Sequence, residues 1–182
     1  NAAINSPTDE RPAILFTSQS EAPEITENTT FYAVFATASG GGTKWVLTSL
    51  DAVTAGTYAI VNQSNKAFNG TITDGHGTVT DETFTFIDGE AASAPSKTCE
   101  ITITAVTGGF TMYNSSYGYL YAKSNSSGNL AWHNTESSYW EYASNNWTYN
   151  SNSAYLRSYN ASGGIRTYGA NNGDGVIKLA KK

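Results

Sequence analysis

From Lys44 onward the chain alternates apolar and polar residues in short bursts, each closed by Gly, Asn, Asp or Ser. Such bursts predict β-strands, because successive strand side chains point to opposite faces and one face is buried. WVLTSLDAVTAGTYAIVN, residues 45–62, predicts a first strand, a turn carrying Ala55 and Gly56, and a second strand with Tyr58 and Ile60 on one face. CEITITAV, residues 99–106, is another alternating strand, with Cys99, Ile101 and Ile103 on its apolar side. No stretch keeps a helical period; DAVTAGT, residues 51–57, is too short and too β-branched. Upstream, ITENTTFYAVFAT ends in a strand where Phe31, Ala33 and Phe35 alternate with Tyr32, Val34 and Ala36. The run Ser39-Gly-Gly-Gly-Thr43 that follows has the composition of a flexible joint. It divides the chain into residues 1–38, a joint at 39–43, and a domain over 44–182.

The pattern repeats. YLYAKSNSSGNLAW, starting at Tyr119, returns as YLRSYNASGGIRTYG, starting at Tyr155. Their flanks stay in register: Phe110 matches Trp147, Leu120 matches Leu156, Leu130 matches Ile165 and Trp140 matches Ile177, all at offsets of 35 to 37 residues. A looser copy lies upstream, where Tyr58 and Ile60 match Phe110 and Met112, Phe68 matches Leu120, and Ile101 and Ile103 match Trp140 and Tyr142. Its offset is larger, 52 from Tyr58 to Phe110, because residues 73–96 carry extra loop. Three units of four short strands follow, at 56–105, 108–143 and 145–181. One unit cannot bury its own apolar face; three together can.

Three four-stranded units, each with a hairpin leading into a Ser/Asn/Gly turn, resemble the β-trefoil. That resemblance implies an all-β fold in which six strands build a barrel and the remaining hairpins cap it, closing the sheet against edge-to-edge association. The ending AYLRSYNASGGIRTY…IKLAK also looks like a trefoil-like module found at the C-termini of secreted Bacteroidetes proteins. Residues 1–38 resemble the closing part of a Listeria–Bacteroides repeat through Ile25, Thr26, Asn28, Thr29, Thr30, Tyr32, Ala33 and Phe35. This segment is therefore expected to be a partial repeat, an N-terminal β appendage to the trefoil.

Composition narrows the function. Asn, Ser and Thr make up 61 of the 182 residues while charged residues are only 14%, so the surface is clad in neutral hydrogen-bonding groups. Net charge is −5, distributed as −8 over residues 1–107 and +3 over 108–182. Neither half has the dense basic face that phosphate-backbone binding needs, and nucleic acid is excluded as a partner. No apolar run reaches the ~20 residues of a membrane span. Cys99, the single cysteine, cannot close an intrachain disulfide and reads as a buried thiol. The chain opens on Asn1 rather than Met, and is expected to be a processed piece of a larger multidomain protein.

Catalytic chemistry finds no assembled set. His76 sits in TDGHGT, which reads as a β-turn, and His133 follows Trp132 on a strand that should point it to solvent. Asp81 and Glu82 are adjacent, so a strand sends them to opposite faces. NNGDG, residues 171–175, lacks the closing carboxylate of a calcium loop. The protein is thus expected to be noncatalytic, without cofactor or metal. What remains is a dense mixture of Tyr, Trp and Asn, suited to sugars, whose apolar ring face stacks on aromatics while hydroxyls bond to amides. Trp132, Trp140 and Trp147 fall at repeat-anchoring positions and are expected in the core.

The trefoil resemblance implies sugar pockets at the middle hairpin of a unit. Here these would draw on Tyr121, Asn125, Asn129 and His133, and in the third unit on Tyr159, Asn160 and Arg166. The Gln-x-Trp signature of ricin-like lectins is missing from every unit. The expected function is recognition of a glycan or host-surface ligand by an extracellular or cell-surface module. The alternatives are a structural spacer, or a protein-binding trefoil of protease-inhibitor type using the loop at 89–97.

Overall fold

A computed structural model of the chain describes residues 44–143, 146–159, 163–169 and 175–182. The expectations for residues 1–38, the joint at 39–43, Asn160 and the 171–175 loop fall, wholly or nearly so, outside these residues.

The described residues are all-β. Ahead of the repeats lies β1 (Trp45–Thr48). The first unit holds β2 (Gly56–Val61), β3 (Lys66–Thr73), β4 (His76–Thr83) and, after an insertion carrying the short β5 (Glu90–Ala91), β6 (Ile101–Val106). The second unit holds β7 (Gly109–Asn114), β8 (Gly118–Ala122), β9 (Leu130–His133) and β10 (Trp140–Ala143). The third holds β11 (Asn146–Tyr149), β12 (Ala154–Ser158), β13 (Ile165–Tyr168) and β14 (Lys178–Lys181).

All the strand pairings are antiparallel, and they close on themselves. From β2 the path runs through β3, β4, β13, β12, β11, β10, β7 and β6 and back to β2, a closed barrel of nine strands with the others attached. The ring thus holds nine strands, not the six that the trefoil resemblance implies. The contact that would close a six-strand ring, between β11 and β14, is not among the strand pairings of the described residues. The segment entering β14 is tied instead to β12, through the isolated Arg157–Val176 bridge and a 2.8 Å bond from Ser158 N–H to the Gly175 carbonyl. The third hairpin thereby becomes part of the wall, and β13 closes the ring onto β4.

Register follows the sequence repeat. Tyr58 faces Ile101 and Phe110 faces Trp140, two pairs at matching positions. Between units, Ile103 faces Met112 as Leu179 faces Ile60. In the hairpins, Leu120 faces Trp132 as Leu156 faces Thr167. The apolar member of each burst points inward, so Tyr58, Ile60, Phe68, Leu120, Leu130, Trp140, Trp147, Leu156 and Ile165 share one core. Trp140 and Trp147 are fully buried there as expected, and the Trp140 indole N–H donates to the Leu120 carbonyl at 2.9 Å.

β2 is buried on both faces. Tyr58 and Ile60 enter the barrel, whereas Ala59 and Val61 join a second cluster with Trp45, Ala67, Phe84 and Ala180. A strand with two dry faces reads as a continuous apolar run, which is how YAIV reads. The insertion after β4 supplies the cover: Phe84 meets Trp45 edge-on at 5.7 Å and stacks on Phe86 at 5.0 Å.

Candidate functional site: the hairpin cap

The three unit hairpins converge at one end of the barrel. Ile165 on β13 pairs with Gly77 on β4, the Leu130 N–H donates to the Gly75 carbonyl at 3.2 Å, and the Gly128 N–H donates to the Thr167 carbonyl at 3.0 Å. Asp74 and Gly75 form a two-residue turn between Thr73 and His76, both with positive φ (50° and 76°), the geometry that Asp-Gly favours in a tight hairpin. A side chain at Gly75 would fall on the Gly128 carbonyl, so glycine is what lets the first and second hairpins touch.

Beside this contact, a cleft of about 340 Å³ opens between the β3–β4 turn and β9, lined by Ile72, Asp74, Lys123, Asn129 and Trp132. Trp132 is half-buried and fixed. Its indole N–H donates to the Gly70 carbonyl at 2.8 Å, and its ring stacks between Phe68 at 5.8 Å and Tyr117 at 5.3 Å. Asn129 donates its amide N–H groups to Ser126 Oγ (2.6 Å) and to the Ser126 and Ser127 carbonyls, which closes the β8–β9 turn.

A second cleft of about 260 Å³ runs along β4, lined by Lys66, Thr73, His76, Thr78, Thr80 and Asp81. At His76 the second cleft adjoins a cation-aromatic cluster. The Arg166 guanidinium lies 3.9 Å from the Tyr159 ring centre and 4.3 Å from that of Tyr168, and its Nη1 is 3.4 Å from His76 Nε2. The His76 ring is itself 5.6 Å from Tyr159.

The expected site residues are thus brought together in part. Tyr121 and His133 meet edge-on at 5.4 Å, but on the other face of β8 and β9, where Tyr121 also packs against Tyr149 at 6.4 Å. His133 is exposed as expected, with Nδ1 engaged by the backbone and hydroxyl of Thr135. Asn125 is exposed at the hairpin tip, its carbonyl against Gly169. Asn129 lines the first cleft, and Tyr159 and Arg166 form the cluster beside the second. Sequence reasoning missed Ile72, Asp74, Lys123 and His76. Asp74 and Gly75 do make the turn, but His76 opens β4 and faces the third unit. The available signal was the repeat itself, since equivalent hairpin ends must meet at the cap.

Trp132, expected in the core, is a wall of the first cleft. The 89–97 segment is pinned down: β5 pairs with β1, Ala91 and Pro95 are buried, and Ser96 donates its backbone N–H and hydroxyl to Glu82 at 3.0 and 3.1 Å. Those two bonds hold the Glu82 carboxyl below its usual pKa, the backbone one contributing most. Burial pushes the Cys99 thiol up to about 12, with Glu100 adding to the effect. Burial likewise raises the Tyr149 phenol, against a hydrogen bond from Ser137.

Among the described residues no three His, Cys, Asp or Glu side chains gather as a metal site, and no helix is long and apolar enough to cross a membrane. Compared with models of known families and with characterised proteins, the sequence matches none.

Proposed function

We propose that residues 44–182 form a β-trefoil that serves as a noncatalytic glycan-recognition module, carried outside the cell by a larger protein. The trefoil reading is supported by register. Residues paired across β2–β6 and β7–β10 occupy matching positions in their units, and so do those across β6–β7 and β14–β2. The enlarged ring is then a trefoil barrel whose third hairpin has merged with the wall.

One observation carries the function: the first cleft sets an immobilised indole beside a carboxylate, an ammonium and an amide carbonyl, from Asp74, Lys123 and Asn129. Its volume suits one or two sugar rings. An aromatic wall takes the C–H face of a pyranose, and a few fixed polar groups sort its hydroxyls. Because Trp132 is already held by Gly70, Phe68 and Tyr117, little side-chain entropy is lost on binding. A glycan array probed with this protein tests the reading. Binding that falls in Asp74→Asn and Lys123→Ala variants supports it, whereas an array with no binding removes it and leaves the spacer.

A further inference from the structure

We infer that the ligand is a neutral, gluco-configured oligosaccharide, and that the outer face of Tyr117 is a second subsite, on which the unit next to the one in the first cleft stacks. The inference rests on the glycan reading and adds the ligand's class and reach. Tyr117 does not line the cleft, but it adjoins two of the residues that do. Its ring stacks on Trp132 at 5.3 Å, and it lies against Gly70, two residues before Ile72 on β3. A chain with one unit in the cleft therefore has Tyr117 within reach of the next.

The ring is held in place before any ligand arrives. Gly70 has a left-handed φ of 90°, and a side chain there would run into the Tyr117 ring, so glycine is what gives it room. The carbonyl of the same glycine takes the Trp132 indole N–H, so one residue seats both rings. The β7–β8 turn that carries Tyr117 is closed by Asn114, whose Oδ1 accepts from the backbone N–H groups of Ser116 and Tyr117 at 2.8 and 3.2 Å. The Asn114 amide in turn donates to the Glu100 carbonyl at 2.8 Å. Phe68, Trp132 and Tyr117 thus make a stack that starts in the core and ends in solvent.

Tyr117 is 42% exposed, the only exposed aromatic side chain among the described residues. The indole covers one of its faces, which leaves the other face and the phenol end to solvent. A pyranose whose hydroxyls are all equatorial turns only axial C–H bonds toward such a plane, and these match the electron-rich face of the ring without any charge. The turn residues beside it, Asn114, Ser115 and Ser116, are uncharged. Because the ring is already fixed, stacking on it loses little rotamer freedom.

The test is NMR titration of the whole chain with cellotetraose and with methyl β-glucoside, which fills one subsite at most. The tetraose is expected to bind about tenfold more tightly. Tyr117→Leu keeps apolar bulk but not the aromatic face, and is expected to erase that advantage while leaving the glucoside's affinity unchanged. Tyr117→Phe is expected to retain it, and Ile87→Ala, at an exposed apolar residue of the insertion, serves as the remote control. Should Tyr117→Leu fail to fold, the wild-type spectra decide: the axial C–H protons of one glucose unit must shift upfield and show Overhauser contacts to the Tyr117 ring.

Equal affinity for tetraose and glucoside, or an advantage that survives Tyr117→Leu, overturns this inference while leaving the glycan reading intact. Binding confined to charged or axially substituted glycans does the same. No binding of any glycan, in titration or on the array, overturns both.

Discussion

The indole N–H of Trp132 donates to the carbonyl of Gly70, joining β9 to β3 across a gap where the two strands do not pair. One side chain therefore does what a strand ladder does elsewhere in the barrel, and it leaves the space beside it open as a cleft. Trp132→Phe keeps the stack on Phe68 and Tyr117 but orphans the carbonyl. It is expected to cost about 1–3 kcal/mol in urea denaturation, and to weaken glycan binding more than a Tyr113→Phe control does.

Gly75 and Gly89 pose a matched comparison. Both have left-handed φ, 76° and 83°, but a side chain at Gly75 meets the Gly128 carbonyl whereas one at Gly89 meets nothing within 4 Å. Gly89→Ala should cost about 1 kcal/mol from backbone strain alone. Gly75→Ala adds a clash inside the cap and should cost roughly 2 kcal/mol or more. Equal losses in thermal unfolding would show that the hairpin ends are not held against each other.

Cys99 sets a pH signature. Its thiol is raised to about 12 from 9.0, so the folded state resists forming the thiolate. The sign follows: stability from this group is intact below pH 9 and declines as pH rises toward 12. The stability difference between wild type and Cys99→Ala, measured by denaturation from pH 8 to 11, should shift steadily in favour of the variant above pH 9. Native protein at neutral pH should resist iodoacetamide and react once unfolded.

Leu120 and Leu156 are the repeat's clearest pair, 2% and 1% exposed at the same place in successive hairpins. Truncating either to Ala should cost about 2–5 kcal/mol by the usual price of a buried Leu. The two losses should agree closely, and a large disparity would argue against equivalent packing in the second and third units.

Register was legible because burial leaves a strand little choice. A one-residue slip would turn Leu156 or Ile165 to solvent, so the apolar anchors that align in sequence also align in space. The nine-strand ring was not legible, since whether β11 reaches β14 or the β12–β13 hairpin intervenes depends on backbone bonds that no side-chain pattern encodes. The site was legible in halves. Tyr159 and Arg166 stood out as an aromatic and a cation near one turn. Their partner His76 lies 90 residues away from Arg166, hidden in a stretch rich in turn-forming residues, and only the convergence of hairpins unites them.

β2 is a party wall. With Tyr58 and Ile60 in one dry compartment and Ala59 and Val61 in the other, neither can be flooded without wetting the partition itself. Its amide protons should therefore be among the last to exchange with deuterated solvent, and the insertion that looks in sequence like decoration should melt in the same step as the barrel it leans on.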